Sequence, residues 1–206
     1  MTDRPIIFSA PMVRALLAGR KTQTRRLATS PLARCAIGDR LYVREAWASF
    51  WATENQKPRE IDPELWSIRY LADDHVRPAG RDGSLARPEQ CKPGRPSIHM
   101  PRWASRLTLV VEGVRTEPLQ AISEDDAWAE GVCQAVEDAG RTAFGESCSD
   151  EMRRMIVTSI IGSGATAYRW LWESLHDKEG QRWEDNPEVL VLTFSVQHGN
   201  IDRIAA

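Results

Sequence analysis

The segment Gly19-Arg20-Lys21-Thr22-Gln23-Thr24-Arg25-Arg26 concentrates hydrogen-bond donors: six of its eight residues offer a hydroxyl or a cation, and Gln23 adds an amide. Such a loop suits phosphate or carbonyl oxygens, whose lone pairs need donors at short range. The same residues also suit a solvated basic turn after a helix, where cations meet the negative end of the dipole. Three further groups can do chemistry. Arg44 and Glu45 stand beside Trp47, so that an arginine and an indole can stack on a base while the carboxylate accepts from an exocyclic amine; an ordinary surface ion pair fits these residues equally well. His99, Arg102 and Trp103 follow a proline-rich stretch and can form a cleft rim or simply pack. Asp73, Asp74 and His75 fit solvated loop residues better than a metal site, and no metal and no cofactor is expected.

Charge is distributed unevenly around a net of −2. From Met1 to Trp47 nine basic residues face three acidic ones, and from Glu112 to Glu151 eleven acidic residues face two basic ones, giving +6 and −9. The first segment can supply the basic wall of a cleft for RNA, or the two can neutralise each other. Cys35, Cys91, Cys133 and Cys148 are scattered without a CxxC pair, which predicts buried thiols rather than disulfides or a zinc site. The charged start and the lack of a long apolar run predict a cytoplasmic chain with no membrane partner. Its 206 residues fit one domain.

The elements that must hold these groups can be read from pattern. Ile6-Ile7-Phe8 predicts a short strand, and Met12, Val13, Leu16 and Leu17 form an apolar helical stripe that stops at Gly19. Lys21 to Leu27 is expected to be extended, and the Gly38-Asp39 turn precedes a strand at Leu41-Tyr42-Val43. Thr53 to Pro96, rich in Pro, Gly, Asp and Arg, is taken as an insertion with one strand at Trp66 to Leu71. Arg106 to Val114 predicts a strand, Ser123 caps a helix ending near Gly131, Asp150 to Leu175 is helical with a break at Gly162-Ser163-Gly164, and Val189 to Val196 closes the chain as a buried strand. The fold class expected is α+β, a small β-barrel with flanking helices and a loop-rich insertion at 53–96.

The donor-rich loop resembles the Gly-x-Lys-Thr-x-Thr signature of the ASCH superfamily, relatives of the PUA domains. The likeness extends to the preceding helix, the Gly38-Asp39-Arg40-Leu41 turn and strand, a late Ser/Thr-Glu helix and the closing strand, and so spans most of the chain. The pieces Tyr42-Val43-Arg44-Glu45-Ala46-Trp47, Pro96 to Arg106 and Trp183-Glu184-Asp185-Asn186-Pro187 resemble ASCH proteins of bacteriophages and prophages.

The resemblance implies a PUA-like barrel with a cleft for RNA or a modified nucleoside. Small bacterial members are amidohydrolases that deacetylate N(4)-acetylcytidine with a Thr nucleophile, a Lys base and a helix-borne Glu, and motif matching places these at Thr24, Lys21 and Glu130. Arg20, Thr22, Arg25, Arg26, Arg44, Glu45, Trp47, His99 and Trp103 are then the expected base or nucleic-acid contacts. A hydroxyl needs a base near neutrality, and a lysine serves as one only when burial or other cations lower its pKa from about 10.4. Glu130 would act against that lowering. Lys21 and Thr24 would also point to opposite faces of a regular strand, so a bend or the long Lys stem must unite them. A non-catalytic RNA or modified-base binding module, and an ASCH-type ribonuclease, remain as alternatives.

Overall fold

The computed structural model describes residues 1–79, 90–140 and 148–204. Along the chain lie β1 (Asp3–Ile7), α1 (Ala10–Leu17), β2 (Gln23–Leu27), β3 (Arg40–Arg44), β4 (Trp47–Phe50), β5 (Ile68–Tyr70), β6 (Val76–Arg77) and β7 (Cys91–Arg95). There follow β8 (Leu107–Pro118), α2 (Glu124–Ala129), α3 (Val132–Asp138), α4 (Asp150–Ile161), α5 (Gly164–Glu173) and β9 (Glu188–His198). The residues cluster into two compact units interleaved in sequence: Met1–Arg14, Arg40–Val110 and Val196–Ala206 form the first, Ala15–Asp39 and Val111–Ser195 the second.

In the first unit β1 lies parallel to β3, with Asp3 opposite Arg40 and Ile7 opposite Arg44, and β3 pairs antiparallel with the start of β8. A second sheet has the order β6-β5-β4-β7. The stretch expected to be a loop-rich insertion thus supplies three of its strands, among them β7, which its Pro and Gly disguise. Its apolar centre joins Trp47, Ile61, Ile68, Tyr70, Met100 and Ala104.

In the second unit β2 runs antiparallel to β9, Gln23 facing Thr193 and Leu27 facing Val189. Val189 to Leu192 are all buried, because β9 is covered on both faces; Val189 and Val191 join the helix core of Trp128, Val132, Val136, Val157, Tyr168 and Trp172. Side-chain caps set the helix starts. Ser123 Oγ accepts from Asp126 N at 3.1 Å, and Ser149 and Ser163 cap α4 and α5 in the same way. Glu124, in the first turn of α2, accepts the amides of Gly164 and Ala165 at 2.6 and 3.1 Å and so caps α5.

The α+β class is what the structure shows. Neither sheet is closed into a barrel by strand pairing among the described residues. No helix among them is long and apolar enough to cross a membrane.

Gly131 both ends α2 and starts α3, at φ +80°, a conformation that favours glycine. A Cβ there would come within 2.9 Å of Ala15 Cβ and 3.3 Å of Lys21 Cβ. Strain and overlap add, so Gly131→Ala is expected to lower unfolding stability by about 2 kcal/mol or more, measured by urea denaturation.

Candidate functional site

Lys21 sits just before β2 in the second unit and is 1% exposed. Its ammonium donates to Glu130 Oε2 at 2.8 Å, to the Glu130 carbonyl at 2.9 Å and to the Gln23 carbonyl at 2.9 Å. Glu130 is the C-cap of α2, so its carbonyl adds the negative end of the helix to the carboxylate's charge. Burial drives the Lys21 pKa down, the charge and hydrogen bond of Glu130 drive it up, and the nearby Arg26 and Arg25 drive it down again; the net is a pKa below the ordinary lysine value.

Arg25 extends this pair into a network. Its guanidinium donates to Gln23 Oε1 at 2.6 Å, Glu130 Oε1 at 3.3 Å, Glu117 Oε1 at 2.6 Å and Asp126 Oδ2 at 2.9 Å, and it lies 5.8 Å from the centre of the Tyr168 ring. Gln23 Nε2 donates to Asp126 Oδ1 at 3.0 Å, and Arg115 closes the outer edge on Glu117 and Asp126. Asp126 and Glu130 are four residues apart and share one helix face, while Gln23 and Arg25 share one face of β2; the two faces meet through charge.

Thr24 is placed differently. It is fully buried on the alternate face of β2, where its Oγ1 accepts from Arg26 Nη1 at 2.8 Å. The structure therefore brings Lys21 and Glu130 together and hands the Thr24 hydroxyl to Arg26. Lys21 and Arg25 are spent on acidic partners from Glu117 to Glu130, so of the two readings of the charge asymmetry, neutralisation describes these two cations, and they are not an open basic wall.

What opens to solvent beside the network is a pocket of about 420 Å³. Its walls include Arg20, exposed Thr22 and exposed Arg154 as donors, Asp125 and Asp150 as acceptors, and the edge of Trp128. Arg20 donates to Gln134 Oε1 at 3.0 Å, and the Arg154 guanidinium lies 5.8 Å from the Trp128 ring centre. Two cations against two carboxylates make a charge-balanced lining, which suits a polar ring carrying both donors and acceptors. Asp126, Glu117, Trp128 and Arg154 escaped the sequence reading; the i, i+4 spacing of Asp126 and Glu130 is the signal from which the first could have been found.

The remaining expected site residues lie in the first unit. Trp47 is wholly buried, edge-on to Trp103 at 6.2 Å with Arg95 over its ring, so its faces are taken by protein. Glu45 is buried as well and holds Arg106 through two bonds of 2.8 and 2.9 Å. Arg44 donates to the Ile98 carbonyl, and His99 is exposed in a short turn, Ser97–His99. Asp73 binds Arg106, and Asp74 lies 3.4 Å from Arg69.

No family model and no curated protein matches the sequence. Among solved structures, an ASCH domain from Lactobacillus crispatus JV V101 aligns over 95% of this chain and 79% of its own, with 11% identity and a TM-score of 0.39. The chemistry of the site rests on its own geometry.

Removing one partner of a buried ion pair strands the other's charge. Lys21→Met is therefore expected to cost about 3 kcal/mol in urea unfolding. Combined with Glu130→Gln, the loss should be clearly smaller than the sum of the single losses, because both variants break one network.

Acid sensitivity follows from Asp126. Burial raises its pKa, but hydrogen bonds from Gln23 and Arg25 and the charges of Arg25 and Arg115 outweigh this and hold it below the ordinary 3.8. Its stabilisation is complete above the unfolded value and is lost as pH falls through the lower folded value, where the unfolded chain binds more protons. The stability gap between wild type and Asp126→Asn should be constant near neutrality and shrink below about pH 4 in urea titrations.

Proposed function

We propose that this chain is an RNA- or modified-nucleobase-directed protein of the ASCH, PUA-like kind, of the type found in phages and prophages and acting in the cytoplasm, and that it binds a base in the pocket beside Trp128. The observation that carries this reading is the charge-balanced lining. Arg20 and Arg154 can donate to ring carbonyls, Asp125 and Asp150 can accept from an exocyclic amine, and Trp128 offers an aromatic edge. The loop that forms one wall, Gly19 to Thr22, belongs to the segment that resembles the ASCH signature. Under this reading the Lys21–Glu130–Arg25 network is a brace: it fixes the turn at Gly131 and the loop before β2, and so the two sides of the pocket.

A second reading is favoured by the lowered pKa of Lys21. A lysine that loses its proton more easily than usual fits an amidohydrolase in which neutral Lys21 takes the Thr24 hydroxyl proton as Oγ1 attacks the acetyl carbon of N(4)-acetylcytidine. That proton passes to N4 as the C–N bond breaks and cytidine leaves, and water then hydrolyses the acetyl-Thr24 ester to acetate. That chemistry requires Thr24 Oγ1 to leave Arg26 and turn toward the Lys21 face of β2. Binding needs no such movement, which is why it stands first.

One experiment separates the two. The intact protein is incubated with N(4)-acetylcytidine, acetylated RNA and plain RNA, bound fractions are measured and each substrate is followed by mass. Binding without a change of mass, weakened about tenfold by Arg154→Ala and indifferent to Thr24→Val, is the expected result. Loss of 42 mass units, on the order of one acetyl group, abolished by Thr24→Val, would replace binding by hydrolysis. Retention of none of the three substrates would end both.

A further inference from the structure

The first unit contains a pocket of about 360 Å³ with a different electrostatic character. Its walls include Arg77, Arg106 and Arg203 together with His75 and His198, and no carboxylate. The three arginines are not equivalent. Arg106 is saturated: Glu45 takes two of its bonds and Asp73 two more, at 2.8 to 3.0 Å, and its guanidinium lies 4.1 Å from the Tyr70 ring centre. It forms a rigid floor whose charge is already met.

Arg77 has no such partner. Its guanidinium lies 4.8 Å from the Trp103 ring centre, and its terminal nitrogens reach only the carbonyls of Trp103 and Pro63, at 3.5 and 3.4 Å. The buried Nε makes no hydrogen bond, and no carboxylate among the described residues lies within ion-pair distance of the group. Burial lowers its pKa and the charge of Arg203 lowers it further, more than the charges of Tyr70 and Glu64 restore. Arg203, 75% exposed, lies 4.0 Å from Glu64 and is free to swing its long side chain over the mouth. A cavity with no carboxylate in its own lining, a guanidinium in its wall that lacks an ion-pair contact and a second at its rim held only loosely by Glu64 gains most from a dianionic group. The aromatic surface next to these cations, Trp103 beside Arg77 and the exposed His75 ring backed by buried Tyr70 with ring centres 6.0 Å apart, adds a place for a planar ring.

We propose that this pocket is a mononucleotide site, with a phosphomonoester held by Arg77 and Arg203 and the base resting against Trp103 and the Tyr70–His75 stack. The volume falls within the range of small-ligand pockets, roughly 300 to 1,000 Å³. The proposal is independent of the base pocket of the second unit.

The test uses the full chain and the histidine ring-proton resonances, assigned by His75→Gln and His198→Gln. Cytidine monophosphate, cytidine and inorganic phosphate are titrated separately. The expected result is that the monophosphate shifts the His75 and His198 signals and leaves His176, in the second unit, unmoved; cytidine should need at least tenfold higher concentration for the same shift. Arg203→Glu, at an exposed position where folding is safe, should raise the half-saturating concentration at least tenfold, and Arg77→Leu should do so where it folds. Equal response to cytidine and its monophosphate, shifts confined to His176, or an unchanged titration in Arg203→Glu would each overturn the site. Saturation by inorganic phosphate as readily as by the nucleotide would overturn the mononucleotide assignment in favour of an anion site. Because the readout is local to the first unit, failure here leaves the Trp128 pocket to its own assay, and the reverse holds as well.

Discussion

An ammonium with about 1% exposure must find, inside the protein, acceptors for all its protons, and in the second unit everything turns on how Lys21 does so. The desolvation of such a group costs several kcal/mol, and only close charge and good geometry offset it. Glu130 supplies both a carboxylate and a helix-terminal carbonyl, and Gln23 the third acceptor. These demands tie β2 to the end of α2. They also require a residue after Glu130 that can turn the chain over the Lys21 stem without a side chain, which is what Gly131 does. Arg25 then welds the same strand face to Asp126 and Glu117, so a run of sequence that looks like a solvated basic turn becomes a buried polar network.

That burial governs what the site can do. Cations committed to internal carboxylates do not attract phosphate, and a strand that points Gln23 and Arg25 toward α2 must point Thr24 away from it. The same alternation that assembles the ion network therefore separates the hydroxyl from the base that would activate it. The surface left for a ligand is the outer side of the braced elements, where Arg20, Arg154, Asp125 and Asp150 retain solvent.

Much of the framework was legible because it is written in local chemistry. Ser123 capping α2, Gly162-Ser163-Gly164 breaking the long helical tract and the apolar run of β9 all depend on residues close in sequence. The pairing of Lys21 with Glu130 also followed, from a motif resemblance rather than from any periodicity. What stayed hidden depends on distant partners. The strand β7 carries Pro93 and Gly94 and exists because β4 offers it an edge. Glu130 and Gly131 alone separate α2 from α3, a junction that Gly131 makes possible and that reads in sequence as a stop. Trp47 and Glu45 look like exposed binding residues beside Arg44, yet an indole among apolar neighbours packs, and the carboxylate is claimed by Arg106, 61 residues away.

The two pockets divide by the fate of their arginines. In the second unit Arg20 lies near Asp150 and shares its pocket with Asp125, so any ligand must compete with acids already present and is selected by the pattern of donors and acceptors rather than by charge. In the first unit Glu45 and Asp73 are both drawn to Arg106. Four bonds of Arg106 fall on Glu45 and Asp73, whereas Arg77 has carbonyl contacts and the longer-range charge of Glu64. On the ligands proposed for the two pockets, discrimination between a neutral base and a phosphate would follow from where the acids lie.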